Sequence, residues 1–422
     1  MPTYLIQFAQ FHEEFRLPEF ESLADLEKVP FQYTNIDGYR LDKPFLKVEL
    51  ESDADARKLV KRAILIKKIY ELWGEGPTYD VVHQKVKENP QRWEEYMTVS
   101  FKFKVAAFNS TVQREDQLAV INSFAYLGFK GPIEMKNPDV QFTVLEDYKA
   151  GSPGKETPQR EWIYMGRVVA SGSRDLVSKY NLKKRKYLGT TSMDAELSLI
   201  MANQAKAAPG KLVYDPFVGT GSFLFTCAHF GAYTLGSDID GRQIRGKEGA
   251  SVKSNVEQYQ LQGKIVSAPY GVRAGAKRLG RKEDSKVPFS PSPRTYEGKP
   301  MHTREDYYPP TKPYEMSEVL VDLLNFSATH LRLGGRLVYW LPTVTEEYDA
   351  SDVPQHPCMK LISNSEQNFG QWARRLITME KVAEWKDGIA ISAKEAERTP
   401  GHYLFREKYF NFGRSTDEKK IE

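Results

Sequence analysis

Apolar and polar positions change rhythm twice along this chain. Near the start, Tyr4-Leu5-Ile6-Gln7-Phe8 predicts a strand, and Phe45-Leu46-Lys47-Val48-Glu49-Leu50 alternates with the period of a half-buried strand. Between them Leu17 to Leu26 predicts a helix, with Pro18 and acidic residues near its start. Ser52 and Asp53 are capping residues for a short helix that runs to Val60. Strand, helix, strand and helix in that order predict a small α+β domain over residues 1–75. A second stretch, 76–182, holds an alternating strand from Tyr96 to Val105 with basic residues, Lys102 and Lys104, on one face. A helix over Asp116 to Tyr126, a turn at Gly128 to Pro132, and strands over Phe142 to Tyr148 and Glu161 to Val168 follow. This has the character of a compact α/β binding module.

From about Tyr187 the style changes. Strands at Lys211 to Asp215, Thr234 to Asp238 and Gly335 to Leu341 are separated by helical stretches. Such alternation predicts an α/β fold with a parallel, doubly wound sheet over residues 187–410. Residues 284–313 are rich in Pro, Ser and charge, and are expected to form a loop inserted into that sheet.

Composition narrows the classes. A length of 422 residues predicts two or three domains, and 40% hydrophobic with 27% charged residues is the balance of a globular chain. No run of 18 apolar residues exists, so no membrane helix is expected. The first residues carry acids and no basic stretch, which predicts no signal peptide and a cytoplasmic setting. Cys227 and Cys358 alone make neither a disulfide framework nor a zinc cluster, and the seven histidines show no ligand spacing, so no metal site is expected. A net charge of +4 decides little. Its clustering says more: Lys183-Lys184-Arg185-Lys186 is one block, and Arg273, Lys277 and Arg278 belong to a second. One block alone is more often a solvated face. Two blocks around one nucleotide-type site favour a polyanionic substrate.

The chemistry concentrates in Asp215-Pro216-Phe217-Val218-Gly219-Thr220-Gly221-Ser222. An apolar strand runs into a glycine turn, and an apolar helix follows from Phe223 to Phe230. Gly219 and Gly221 let the backbone approach a ligand, and the helix start offers N–H groups to an anion. The Walker lysine is absent and the spacing is not G-x-G-x-x-G. Gly236-Ser237-Asp238-Ile239-Asp240 closes the next strand about 20 residues on, where Rossmann-like folds place the carboxylate that holds ribose hydroxyls. Asp238 and Asp240 could instead simply cap the following helix. With the glycine turn upstream, the nucleoside reading is the stronger one.

These two motifs look like those of Rossmann-like methyltransferases that act on exocyclic amino groups. Lys186-Tyr187-Leu188-Gly189-Thr190-Thr191-Ser192-Met193-Asp194-Ala195-Glu196-Leu197, Tyr270 to Gly280 and Phe15 to Glu21 are more particular. They resemble the family of eukaryotic tRNA guanosine-10 N2-methyltransferase catalytic subunits. The resemblance implies a ferredoxin-like N-terminal part, a THUMP-type RNA-binding domain and an S-adenosyl-L-methionine-dependent catalytic domain. It further implies a small zinc-binding activator subunit as partner and tRNA as substrate. Thr190, Thr191, Asp215, Phe217, Gly219, Thr220, Gly221, Ser222, Asp238 and Asp240 would then hold the cofactor. Lys183, Lys184, Arg185, Lys186, Arg273, Lys277 and Arg278 would meet RNA.

One departure stands out. The family's catalytic run is an acid or Asn, two prolines and Tyr; its oxygens draw the target NH2 towards the methyl donor while the ring stacks on the base. Here Ser267-Ala268-Pro269-Tyr270 stands in its place, with Ser267, Pro269 and Tyr270 as the candidate catalytic residues. From Asp238 to Tyr270 there is room for one helix and one strand (Gly263 to Ser267), so one helix-strand unit is expected to be missing before the motif. Two rivals remain: another acceptor, such as DNA adenine or a glutamine side chain, and a catalytically impaired form acting as a tRNA-binding scaffold. Lys102, Lys104 and the Lys183 block favour folded RNA over the first.

Overall fold

The computed structural model describes residues 1–34, 36–149, 159–190, 192–238, 240–247, 249–267, 295–296, 299–300, 316–386, 391, 405 and 409. The chain divides into two units, Met1–Lys179 and Tyr180–Glu422.

The first unit is built on one sheet of seven strands: β1 (Thr3–Phe8), β2 (Phe31–Tyr33), β3 (Phe45–Leu50), β4 (Ile66–Gly76), β5 (Phe101–Phe108), β6 (Val140–Tyr148) and β7 (Arg160–Ser171). They run in the order β2-β3-β1-β4-β7-β6-β5, all neighbours antiparallel except β5 and β6. The helices α1 (Arg16–Glu27), α2 (Asp53–Val60), α3 (Tyr79–Lys87), α4 (Gln91–Glu94), α5 (Arg114–Ser123) and α6 (Asp175–Lys179) connect them. Ser52 caps α2 as its sequence predicts, its Oγ accepting from the Asp55 N–H. Lys102 and Lys104 alternate with Phe101, Phe103 and Val105, which pack into the core around Trp73 and Phe142.

The expected division at residues 75 and 76 does not separate two packed bodies. It falls at the last residue of β4, a strand that pairs with β1 on one side and β7 on the other. Buried charges reinforce the join. The Lys43 ammonium, ahead of β3, donates to Asp147 at 2.6 Å and Glu161 at 2.7 Å. Arg167 of β7 reaches Asp53 at 2.7 Å and Glu71 at 2.9 Å. A strand with two sheet neighbours cannot be a linker.

The second unit begins with an extended segment and α7 (Ala195–Gln204), which is apolar nearly all round and accordingly buried. Next come β8 (Leu212–Asp215), α8 (Ser222–His229), β9 (Tyr233–Gly236), α9 (Gly241–Arg245), α10 (Val252–Gln258) and β10 (Ile265–Ser267). The strands are parallel and ordered β10-β9-β8, as in one half of a doubly wound sheet. The single helix expected between Asp238 and the strand at Gly263 is two. Gly246 adopts φ +64°, and a Cβ there would sit 1.8 Å from the Ala250 carbonyl oxygen. Ser251 and Ser254 then restart the helix with reciprocal caps.

Two-residue strands β11 (Thr295–Tyr296) and β12 (Lys299–Pro300) pair within the expected insert 284–313, most of which lies outside the described residues. After them come α11 (Met316–His330) and an antiparallel sheet of β13 (Arg336–Val344), β14 (Met359–Asn368) and β15 (Trp372–Lys381), ordered β13-β15-β14. α7 leans on this sheet: Trp340 Nε1 meets Met201 Sδ at 3.1 Å, and Thr378 Oγ1 donates to Gln204 Oε1 at 2.7 Å. Among the described residues no strand pairs with the outer side of β8 or of β13. Leu212, the first residue of β8, is 70% exposed.

Candidate active site

Register places three backbone positions level at the carboxyl edge of the parallel sheet, since Asp215 and Ser267 both pair with Gly236. This is the edge at which open α/β sheets bind their ligands. From β8 the chain turns through Gly219 (φ +50°) and Gly221 (φ +87°) into α8. Both conformations are left-handed and suit glycine. Space around Gly219 is open, with nothing within 4 Å of where a Cβ would stand; at Gly221 a Cβ would press on the Phe225 ring at 3.0 Å. No side chain caps α8, so the N–H groups of its first turn have no intrahelical partner.

The two acids after β9 part company. Asp238 faces the turn: Oδ2 accepts from the Gly219 N–H at 2.8 Å and Oδ1 from the Asp240 N–H at 2.8 Å. Asp240 turns instead to Arg242, taking its Nε at 2.7 Å and NH2 at 2.9 Å while capping α9. The Arg242 bond also holds the Asp240 carboxyl below the usual range. Of the pair, Asp238 fits the ribose role, and Asp240 has the capping role.

Asp215 is the unusual group. Its Oδ1 accepts from the Phe217 N–H at 2.9 Å, while Oδ2 is buried with no partner among the described residues. Burial pushes its pKa up to about 6 against the pull of the Phe217 N–H, and the Asp238 charge adds to the rise. A buried carboxylate oxygen without a donor is costly, which makes it a place for a ligand's donor.

The segment before α7 lies against the turn. Ser192 Oγ and Thr220 Oγ1 are 2.9 Å apart, and Gly189 packs so closely that a Cβ would sit 2.8 Å from Thr220 Cγ2. The Asn255 amide, buried in α10, clasps the Tyr187 backbone through bonds of 2.9 and 2.8 Å. Ser192 lies within the run Lys186 to Leu197 without being among its candidate site residues, and Asn255 escapes a motif reading; its signal is a lone amide on the buried side of α10. Thr190 and Phe217 are exposed beside the turn, and Thr191 lies outside the described residues.

Two expectations are corrected. Arg185 is no surface cation: it is 5% exposed, its NH1 donates to Ser222 Oγ at 2.8 Å, and its guanidinium lies over the Phe225 ring at 5.2 Å. Ser222 correspondingly points its hydroxyl inwards to Arg185. Lys183, Lys184 and Lys186 stay exposed: Lys183 and Lys184 lie in a single 3-10 turn, Leu182–Lys184, and of the four only Arg185, where the chain leaves that turn, is buried. Arg185→Ala strands Ser222 and opens a void, so we expect a loss of about 2–3 kcal/mol and a melting transition lower by roughly 5–10 °C. Calorimetry checks this, and the salt dependence of RNA binding should not move.

Ser267 ends the third strand of the parallel sheet, two strand positions from β8, or about 10 Å at ~4.8 Å per strand. It is thus held away from the side of β8 on which a fourth strand would lie. Pro269, Tyr270, Arg273, Lys277 and Arg278 lie outside the described residues.

Residues 2–174 match the Tmrp11 THUMP N-terminal domain family. The tRNA (guanine(10)-N(2))-methyltransferase of Schizosaccharomyces pombe is 39% identical to this chain, covering 100% of the chain and 99% of the relative. The chain belongs to the tRNA (guanine(10)-N(2))-methyltransferase family. The Saccharomyces cerevisiae member is 38% identical over 97% of this chain and 99% of its own length, and the Homo sapiens member 36% identical over 97% and 95%. A looser likeness links the chain to the crystal structure of TrmN from Thermus thermophilus, at 15% identity and a TM-score of 0.41 over 90% of this chain and 100% of the other. Within the methyltransferase family one difference is plain. The fission yeast alignment runs over 482 positions, yet this chain has 422 residues, so about 60 positions of that alignment are empty here.

Proposed function

We propose that this chain binds S-adenosyl-L-methionine at the glycine turn and tRNA over its basic surfaces, and serves methylation of the exocyclic N2 of guanosine 10. The observation that carries the cofactor assignment is Asp238, whose carboxylate ties the Gly219 backbone to the end of β9 and keeps lone pairs for two ribose hydroxyls. Asp215 Oδ2 would take the cofactor's ammonium group, and the first-turn N–H groups of α8 its carboxylate. When bound there, the cofactor would supply an electrophilic methyl group for the exocyclic guanine nitrogen. Titrating S-adenosylhomocysteine into the full chain, with the small zinc-binding activator that the family resemblance implies, tests the reading; no uptake would end it.

The Asp215 shift gives this site a pH signature. An ammonium partner favours the ionised carboxyl, so affinity should rise with pH through about 6 and then level off, and Asp215→Asn should flatten the profile. Without ligand the sign reverses. Burial penalises the carboxylate, so the fold loses stability as pH climbs from about 4 to about 6.

A second reading, a form with strongly reduced transfer that acts through tRNA binding, draws support from the position of Ser267 on β10; among the described residues no strand pairs with the outer side of β8.

A further inference from the structure

Adjacent arginines on β15 face opposite sides of their sheet and meet different surroundings. Arg375 is neutralised: it pairs with Glu366, reaches Asn364 Oδ1 at 3.4 Å and lies 3.7 Å over the Tyr348 ring. Arg374 is not. Its guanidinium lies 4.5 Å over the Trp340 ring and 5.5 Å over the Phe369 ring, and Nε donates to Gln367 Oε1 at 2.7 Å. No carboxylate pairs with it among the described residues, and its terminal N–H groups remain without a partner there. Burial lowers its pKa, only partly offset by the charge of Asp194. A half-buried guanidinium over two aromatic rings, with no carboxylate partner among the described residues, is costly without an anion, yet keeps N–H groups ready for one.

Its position gives that edge a use. Asp194 caps α7 two residues after Ser192, whose hydroxyl meets Thr220 of the glycine turn. Arg374 lies over Trp340, whose Nε1 meets Met201 of α7, the helix that follows the segment bordering the candidate cofactor site. Phe369 is 45% exposed and stacks on Trp372 at 4.3 Å, so the stack borders solvent.

We propose that Arg374, clamped on Trp340 and Phe369, binds a backbone phosphodiester of the RNA substrate beside the catalytic site. This rests on the tRNA reading above. Terminal guanidinium N–H groups suit phosphate oxygens in pairs, and the rings remove the rotamer freedom that a surface arginine loses on binding.

The test uses the full chain with its activator and an unmodified tRNA transcript, with affinity measured from about 50 to 300 mM salt. Arg374→Gln should weaken binding about 5- to 20-fold near 100 mM and make the log–log salt slope shallower by roughly 0.7–0.9, one phosphate's worth. S-adenosylhomocysteine affinity and melting temperature should stay as they were. Arg374→Lys should restore the slope and only part of the affinity, because the ammonium cannot lie flat on the rings. An unchanged slope in Arg374→Gln, or weaker binding that tracks a lower melting temperature, overturns the assignment. If the unsubstituted chain itself takes up no tRNA, the tRNA reading fails and this one with it; if it binds and the variants match it, only the Arg374 assignment falls.

Discussion

Asp238→Ala should abolish measurable S-adenosylhomocysteine binding, a loss of at least about 100-fold. The substitution removes three things together: the acceptor of the Gly219 N–H, the acceptor of the Asp240 N–H, and the charge offered to the ribose. Bonds to a charged acceptor contribute about 1.5–3 kcal/mol each, so losing the ribose pair alone accounts for two decades. The turn itself also loosens, because the Asp238 carboxylate is the acceptor for the Gly219 N–H. Asp238→Asn separates the effects: it keeps an oxygen for one backbone N–H and should recover part of the affinity. Isothermal titration reads both variants, and wild-type affinity in Asp238→Ala would remove the nucleoside assignment.

Methyl transfer to unmodified tRNA should run at least about 100-fold slower in this chain than in the fission yeast relative assayed alongside it. Ser267 has no carboxylate to draw the target amine forward, and its place on β10 sets it about 10 Å from β8, and further still from the side of β8 on which a fourth strand would lie. Displacements far smaller than that cost two decades in rate. Cofactor and tRNA affinities should lie within about tenfold of the relative's, since the glycine turn and the N-terminal sheet are intact. Comparable turnover in labelled-methyl assays would mean that the transfer step draws its acid from elsewhere in the chain.

Much of this was legible in the sequence because the periodic signals were strong. The strands at Thr3–Phe8, Phe45–Leu50, Leu212–Asp215 and Arg336–Val344 fall where apolar runs or alternation put them. The glycine turn and Asp238 come together as their spacing predicts. Asp240 and Arg185 went the other way, for one reason: a charge on a motif or in a basic block gives no sign of which side its backbone turns it to. Arg242, two residues on, takes Asp240, and the chain leaving the 3-10 turn Leu182–Lys184 sends Arg185 to Ser222. The break between α9 and α10 was written in Gly246, whose positive φ outweighed the helical rhythm around it. The single sheet of the first unit was out of reach because β4 and β7 are separated by more than 80 residues, and pairing over that distance leaves no local pattern.

That distance has a consequence for how the protein is made. During synthesis β4 emerges while the strand destined for its second side is still untranslated, and at roughly 5–20 residues per second β7 follows about 4–17 s later. For those seconds Ile66 to Gly76 presents an unmatched hydrogen-bonding edge, flanked by side chains that end up buried. The nascent half-sheet is therefore a natural client for a ribosome-bound holdase, and slowing elongation between codons 76 and 160 should lower the yield of folded protein.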